Sequence, residues 1–289
     1  MAFITNGGLI QYGATNIECQ SITVNHGAKQ IALRSGGTTP QTFVVLNNQP
    51  SITFQTHDVG KLLAASMSFG INSLAANTVV AWSATPLNFG IYGTANKATV
   101  TAGALCINSL NLSDGDLATV TATIYPCSSD GSTDPIAFAS GTIPTLTETV
   151  VGYTLNGASL NGTAIADVKS VSLDTGHDVF FEATSGARYP TTCFLRSYAP
   201  VVTVSGYSQL EMRSLITSGG LWGNGTTGMQ MLVRGTTSGV VSGTVYTITI
   251  KRGQAIMGEL AWSTGATDLA SFTYNAAKLD DDTDPIAYA

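Results

Sequence analysis

The chain has 289 residues, only 10 % of them charged, and a formal net charge of −6. This balance excludes the basic patch with which proteins hold nucleic-acid phosphates. The fraction of charged residues is far below the roughly 25 % usual in soluble domains. Such a composition fits either a secreted or cell-surface β-protein or a subunit whose surface is mostly interface. We favour the subunit, because interface cores are depleted in Lys, Glu and Asp.

The start of the chain has no basic segment followed by an apolar one, so it predicts no secretory signal. The longest apolar runs are far too short to span a membrane. We therefore expect a soluble protein that is made and kept in a cytoplasm.

Alternation of β-branched and polar residues predicts strands along most of the chain. Clear examples cover residues 21–24, 117–124 and 245–251. Thr, Val, Ile and Tyr, which dominate these runs, suit a half-buried pleated surface. The sequence therefore predicts a mainly β fold.

One short helix is predicted in each half. Asp58 would cap a helix over residues 59–67, and Ser208 with Glu211 makes a capping-box pattern before residues 212–216. Asp58 and Ser208 are 150 residues apart. This agreement strengthens both helix predictions.

A long stretch rich in Gly, Asn and Thr follows each predicted helix, at residues 72–96 and 222–243. We predict that each forms a long loop or an extended hairpin. These stretches are the least similar parts of the two halves, which suggests that they contact different neighbours.

The two halves repeat each other at an offset of 149 or 150 residues. The paired landmarks are residues 21–24 with 170–173, Gly27 with Gly176, Pro40 with Pro190, Pro50 with Pro200, Gly103 with Gly253, and residues 134–138 with 284–288. So many landmarks in one register predict a tandem duplication. We expect two tandem homologous β-sandwich or barrel-like domains at residues 1–139 and 152–289, joined by an ordered connector at 140–151. Each domain is long enough to bury its own core.

No active-site pattern is visible. His26, His57 and His177 have no histidine at the equivalent position of the other half, and no metalloprotease or serine-hydrolase motif occurs. A Ser/His/Asp site assembled in space stays open, although packed or solvated histidines are favoured. No spacing of acidic residues indicates glycoside hydrolysis, and no phosphate loop or basic–aromatic pattern occurs. We predict a protein that is not an enzyme and has no catalytic, cofactor-binding or metal residues.

An acidic cluster near the end of the chain contains Asp280, Asp281, Asp282 and Asp284. Calcium prefers several carboxylate oxygens close together. The cluster lacks the glycine and the glutamate of an EF-hand loop, so we favour a solvated turn beside the last strand over an ion site.

The four cysteines are Cys19, Cys106, Cys127 and Cys193, and each has an apolar or small residue at the equivalent position of the other half. No CxxC spacing occurs, which makes a zinc site improbable. We predict reduced, buried thiols that act as small hydrophobes.

Each half resembles the tail tube domain of long-tailed bacteriophages. The resemblance depends on residues 168–174 and their twin 19–25, on the helix after each third strand, and on the divergent loop. It implies a β-sandwich with a flanking helix and a long loop. For a duplicated member it implies trimeric, pseudo-hexameric rings, stacked so that inner strands form a continuous β-barrel around a DNA channel. The resemblance implies no catalytic residues.

Duplication has a physical use in such an assembly, because two similar domains per chain give six near-equivalent positions around a three-fold axis. Pairing between subunits also closes sheet edges that would otherwise be sticky, and a low, acidic charge lets DNA slide. We expect a virion structural protein, assembled in the host cytoplasm, whose partners are its own copies, other tail proteins and passing DNA. Residues 84–93 and 223–239 are our candidates for ring stacking, and the connector 140–151 is a further interface candidate.

Two other classes remain open. A double jelly-roll capsid protein also forms pseudo-hexameric trimers, but it needs about eight strands per domain. A secreted carbohydrate-binding or adhesive β-sandwich would carry a signal peptide and a row of surface aromatic residues. Tubes, shells or monomers of the purified protein would distinguish the three classes.

Overall fold

The computed structural model describes residues 8–33, 42–64, 69–73, 78–83, 95–100, 102–141, 152–207, 209–216, 220–237, 240–261, 269–277 and 284–289. Within these ranges the fold is mainly β with two short helices, which confirms the predicted fold class. The strands form several sheets with a β-sandwich-like arrangement.

The elements of the first half are β1 (Gly8–Tyr12), β2 (Thr15–Cys19), β3 (Ser21–Asn25), β4 (Ala28–Leu33), β5 (Thr42–Asn48), β6 (Ser51–Thr56), α1 (Val59–Ala64), β7 (Ile71–Ser73), β8 (Thr78–Ser83), β9 (Ala95–Val100), β10 (Gly103–Ser113), β11 (Thr119–Pro126) and β12 (Ile136–Gly141). The elements of the second half are β13 (Gly152–Leu160), β14 (Thr163–Ile165), β15 (Val168–Asp174), β16 (His177–Glu182), β17 (Thr192–Tyr198), β18 (Val201–Gly206), α2 (Gln209–Leu215), β19 (Leu221–Trp222), β20 (Met229–Thr237), β21 (Val240–Ile250), β22 (Gly253–Ala261), β23 (Leu269–Ala276) and β24 (Ile286–Tyr288).

The two halves have the same strand order. The larger sheet runs β3-β6-β11-β10-β7 in the first half and β15-β18-β23-β22-β19 in the second. The smaller sheets run β2-β1-β8-β9-β12 and β14-β13-β20-β21-β24, and each half adds one separate hairpin, β4–β5 or β16–β17. This agreement is what a tandem duplication predicts.

The pairing registers repeat as well. Phe54 faces Ala122 in the first half, and Val204 faces Phe272 in the second, each pair 150 residues from its counterpart. The turn after β3 is also repeated: the backbone N–H of Gly27 donates to Asn25 Oδ1, as that of Gly176 donates to Asp174 Oδ1, both at 2.9 Å. Both glycines have a φ of 59°, the left-handed region that favours glycine. The local structure thus follows the repeated sequence landmarks.

The halves do not form separate cores. Strand β10 pairs antiparallel with β15, which joins the two larger sheets into one ten-stranded sheet. One cluster of buried apolar residues includes members of both halves, because their core faces lie on the same side of this sheet. Among the described residues the core is therefore continuous between the halves, and the division into two domains stays a prediction.

Contacts between the halves also reach the helix and the last strand. The backbone N–H of Ala118 donates to Tyr153 O at 2.6 Å, and the Tyr288 hydroxyl donates to Leu63 O at 3.0 Å. Strand β12 continues through Gly141, two residues into the predicted connector, and residues 142–151 lie outside the described ranges. The connector remains a prediction.

Both predicted helices are present. Helix α1 begins directly after Asp58, whose carboxylate forms an ion pair with Lys61 at 3.2 Å. Helix α2 begins at Gln209, as a cap at Ser208 predicts, although Ser208 itself lies outside the described residues. Glu211 accepts a hydrogen bond from the backbone N–H of Ala166 at 3.2 Å. Within the described residues no helix is long and apolar enough to cross a membrane.

The predicted strands are present, but some of them begin or end at other residues than predicted. The predicted strand 117–124 begins two residues later, because the N–H of Ala118 donates to Tyr153 O of β13, which belongs to a different sheet from β11. For the stretch 222–243 the extended-hairpin alternative is confirmed, because it contains β20, which pairs with β21. The stretch 72–96 likewise contains β8, which pairs with β9.

Tyr274 is fully buried at a position equivalent to Ile124. Its hydroxyl has no hydrogen-bond partner among the described residues, and side chains at Gly223 or Gly228 would overlap it. An unsatisfied buried hydroxyl costs free energy. Burial raises the pKa of Tyr274 to about 12.

We expect Tyr274→Phe to raise the free energy of unfolding at pH 7 by about 1 kcal/mol, since it removes an unpaired polar group. The raised pKa means that the folded state favours the neutral phenol over the phenolate. The free energy of unfolding of the parent protein is therefore not reduced by this group below pH 10, and it falls as the pH rises from there towards 12. The variant should lose that part of the alkaline destabilisation. Urea unfolding at pH 7, 9 and 11 measures both effects, and equal pH dependence of the two proteins would contradict this assignment.

Candidate assembly interface

The histidines lie in separate local environments. His57 Nδ1 is 2.8 Å from Ala118 O and 3.2 Å from Thr119 Oγ1. Because a carbonyl oxygen only accepts, Nδ1 carries the proton in the 2.8 Å contact and is not a base towards Thr119. His177 stacks on Tyr198 with ring centroids 4.9 Å apart, and His26 lies beside Phe138. His177 Nδ1 is also 3.1 Å from the Thr175 hydroxyl, but that hydroxyl is fully buried and lies 2.7 and 2.9 Å from the carbonyl oxygens of Ile107 and Asn108, to which it donates. Neither described histidine–hydroxyl contact therefore pairs a base with an accessible nucleophile.

His57 borders a shallow groove with a volume of about 480 Å³, lined by His57, Asn111, Ser113, Asp116, Leu117 and Thr119. Asp116 is its one carboxylate, so the groove lacks the pair of carboxylates that glycoside hydrolysis requires. No group of three His, Cys, Asp or Glu residues within the described ranges could hold a metal ion.

The acidic cluster lies partly outside the described ranges, which begin again at Asp284. The Asp284 carboxylate accepts hydrogen bonds from the N–H of Ile286 at 2.9 Å and from the Tyr198 hydroxyl at 3.3 Å. Its counterpart Asp134 accepts from the N–H of Ile136 at 2.9 Å. Asp284 therefore helps to start the last strand, and the preference for a turn over an ion site at Asp280, Asp281 and Asp282 remains a prediction.

The cysteines are free thiols, and Cys19, Cys106 and Cys127 are buried as predicted. Cys193 is only partly buried, which corrects the prediction for that residue. Cys127 and Cys193 lie together: their sulfurs are 4.0 and 3.9 Å from the same oxygen, Tyr125 O. Cys193 belongs to the hairpin β16–β17, so this contact joins that hairpin to the first half.

The stacking candidates are only partly described. Residues 84–93 lie outside the described ranges. Within 223–239, residues 229–237 form β20 between β13 and β21, with Met229, Met231 and Val233 fully buried, so this part is a strand and not a loop. Its role in ring stacking stays a prediction. Residues 223–228 do form a turn, held by Asn224 Oδ1, which accepts from the N–H groups of Thr226 and Thr227.

The junction between the halves shows how two of these units join edge to edge. Residues 109–113 of β10 face residues 174–170 of β15 in unbroken antiparallel register. Lys169 Nζ is 2.6 Å from Asp114 Oδ2, and the Ser172 hydroxyl donates to Asn111 Oδ1 at 2.7 Å. The buried Thr175 hydroxyl is 2.7 Å from Ile107 O. Sequence reasoning missed this junction, because alternation within a strand does not specify its neighbour.

The same edges are open at the two ends of the ten-stranded sheet. Strand β3 is equivalent to β15, and among the described strands it pairs only with β6. Strand β22 is equivalent to β10. On the side of β22 that faces away from β23, β19 pairs with residues 254–255, and the rest of that side has no partner among the described strands. Unpaired edges of this kind are ready to pair with another chain.

The face of this sheet that is turned away from the core is nearly uncharged. On six strands, the positions that alternate with core residues carry small polar side chains: Ser21, Thr23, Asn25, Ser51, Thr53, Gln55, Thr119, Thr121, Thr123, Ser170, Ser172, Thr203, Ser205, Ser271, Thr273 and Asn275. Among the described side chains at these positions, the exceptions are Tyr125, Asp174 and Val201. Several of the side chains hydrogen-bond across strands, as in the 3.1 Å contact of the Thr53 and Thr123 hydroxyls.

No protein-family model matches the chain, and no curated protein is similar to it at a significant level.

Proposed function

We propose that this chain is a non-enzymatic structural subunit of a bacteriophage tail tube, and that three chains close into a pseudo-hexameric ring. One observation carries the proposal: two halves of equal topology are joined edge to edge in one sheet, and among the described strands the equivalent edges have no partner at β3 and none beyond residues 254–255 at β22. Repeating the same junction between chains continues the sheet. A sheet that continues through a closed ring of chains becomes a barrel without edges.

The size of the barrel supports a pore. Each half contributes four long strands to the sheet, so three chains would contribute about 24 strands in total. Barrel diameter grows with strand number, and roughly 16 to 18 strands already leave an aqueous channel in porins. A ring of three chains would therefore enclose an open channel.

The chemistry of the uncharged face suits the passage of DNA. Lys and Arg side chains, which bind phosphates and release counterions, are missing from the alternate positions of the six strands described above. Hydroxyl and amide groups that are already bonded to one another offer few partners to a passing polyanion. At the described alternate positions of these six strands there is one carboxylate, Asp174, so low charge rather than negative charge is the property that supports sliding.

The test is the form of the purified protein in negative-stain images. We expect rings or stacked tubes with a stain-filled centre. Closed shells would support a capsid protein instead, and monomers at high protein concentration would support an adhesive or carbohydrate-binding protein. Either of those results would overturn the proposal.

A further inference from the structure

The joined edges inside the chain define a template for a contact between chains. At this junction the N–H of Thr175 donates to Asn108 O at 3.0 Å, and the N–H of Asp114 donates to Lys169 O at 2.8 Å. Between these bonds Leu110 faces Leu173 and Asn111 faces Ser172. The pair Asn111–Ser172 therefore occupies the position between hydrogen-bonded pairs, where side chains of opposite strands are closest.

Both edges of this template have open equivalents. Leu110 and Leu260 occupy the same register position, since they face Val120 and Ala270 respectively, and Asn111 corresponds to Ala261. On the other edge Leu173 corresponds to Val24, because they face Val202 and Ile52. Thr23 precedes Val24 and therefore corresponds to Ser172.

A second observation points to the same partner. In the first half Cys106 is fully buried where the hairpin β16–β17 crosses the sheet, with Tyr125 against Phe181 at 5.6 Å between ring centroids. The equivalent of Cys106 in the second half is Ile256, which is 45 % exposed. The hairpin equivalent to β16–β17 is β4–β5, and it follows the open strand β3. A second copy that paired through β3 would bring this hairpin over Ile256.

We infer that β22 of one copy pairs antiparallel with β3 of the next, with Leu260 opposite Val24 and Ala261 opposite Thr23. The hairpin β4–β5 of that next copy covers Ile256. The partner of both open edges is thus a second copy of this chain, in the geometry that the chain already uses internally. This inference is based on the proposed ring and specifies its junction.

The test is a disulfide cross-link between two introduced cysteines, one on β3 and one on β22. Thr23→Cys with Ala261→Cys places two thiols at a directly opposed pair, where Cβ atoms reach the roughly 3.5–4.5 Å that a disulfide needs. Oxidation of assembled protein by a small disulfide joins the two thiols, which lose two protons and two electrons to that reagent. We expect covalent dimers and trimers on a non-reducing gel, with trimers as the largest product.

The matched control is Ser21→Cys with Ala261→Cys, which lies two residues out of register, roughly 7–8 Å between strands. It should cross-link at least 10-fold less. Rings that form without a cross-link between positions 23 and 261 would overturn the inferred strand pairing while leaving the proposed function intact. Equal cross-linking of the 23–261 and 21–261 pairs would do the same. Cross-linked dimers of Thr23→Cys alone would show that β3 pairs with β3, which also overturns it.

A second measurement uses the unaltered chain. Amide hydrogen exchange of residues 20–26 and 257–261 should slow at least 10-fold on assembly, because open edge amides become paired. Unchanged exchange at both edges in assembled rings would contradict the inference. The absence of any assembly would instead contradict the proposed function.

Discussion

Replacing Val24 by proline is expected to leave a folded monomer that no longer assembles. In the internal junction the backbone groups of Thr175 and Lys169 face β10, and the alternation of a strand gives Leu173 the same direction. Val24 is the counterpart of Leu173, so its N–H faces the open edge rather than β6. Proline removes this donor and is tolerated at edge positions whose N–H faces solvent.

The expected loss is complete at concentrations at which the parent protein forms rings, since every junction of the ring loses a hydrogen bond and gains a steric conflict. Val24→Ala is the matched control, because it removes much of the same apolar side chain and keeps the N–H. Circular dichroism would establish that both variants fold, and size-exclusion chromatography with light scattering would measure assembly. Rings of Val24→Pro as stable as those of Val24→Ala would show that this edge is not used.

Replacing Gly103 or Gly253 by alanine is expected to destabilise the fold by about 3 kcal/mol in each case. The two glycines are equivalent and start β10 and β22. A Cβ at Gly103 would overlap Tyr125 O, and one at Gly253 would overlap Asn275 O, which is the same backbone position of the repeat. Overlap with a carbonyl of the paired strand cannot be relieved by a change of rotamer.

Gly115 provides the matched control. Its φ is 85°, yet no atom lies within 4 Å of a Cβ built there, so Gly115→Ala should cost only the left-handed backbone, about 1 kcal/mol. Urea unfolding of the three variants separates overlap from backbone conformation. Costs at Gly103 and Gly253 no larger than at Gly115 would contradict the equivalent packing of the two halves.

Much of the fold could be predicted because the sequence contains the same information twice. Alternation at residues 21–24 and 170–173 predicted β3 and β15, and the glycines that follow predicted their turns. The helices were predicted mainly because Asp58 and Ser208 agree in register. Agreement between two copies compensates for the weak signal of each short segment.

The candidate interface could not be predicted in the same way. Nothing in the alternation of β10 indicates that it pairs with β15, because the neighbour of a strand is decided by long-range contacts. Strand β20 was predicted only through the extended-hairpin alternative, because the stretch 222–243 around it is rich in Gly, Asn and Thr, which are common in loops. The burial of Met229, Met231 and Val233 then depends on the sheet around them rather than on local sequence.

We expect the chain to repeat its internal junction between copies until three chains close a ring. Averaged end-on electron-microscopy images of the purified assembly test this most directly, because they give the rotational symmetry without labels or variants. A ring closed in this way has three-fold symmetry with six similar lobes around an open centre. Particles that lack three-fold symmetry, or that remain single chains of 29.9 kDa, would contradict it.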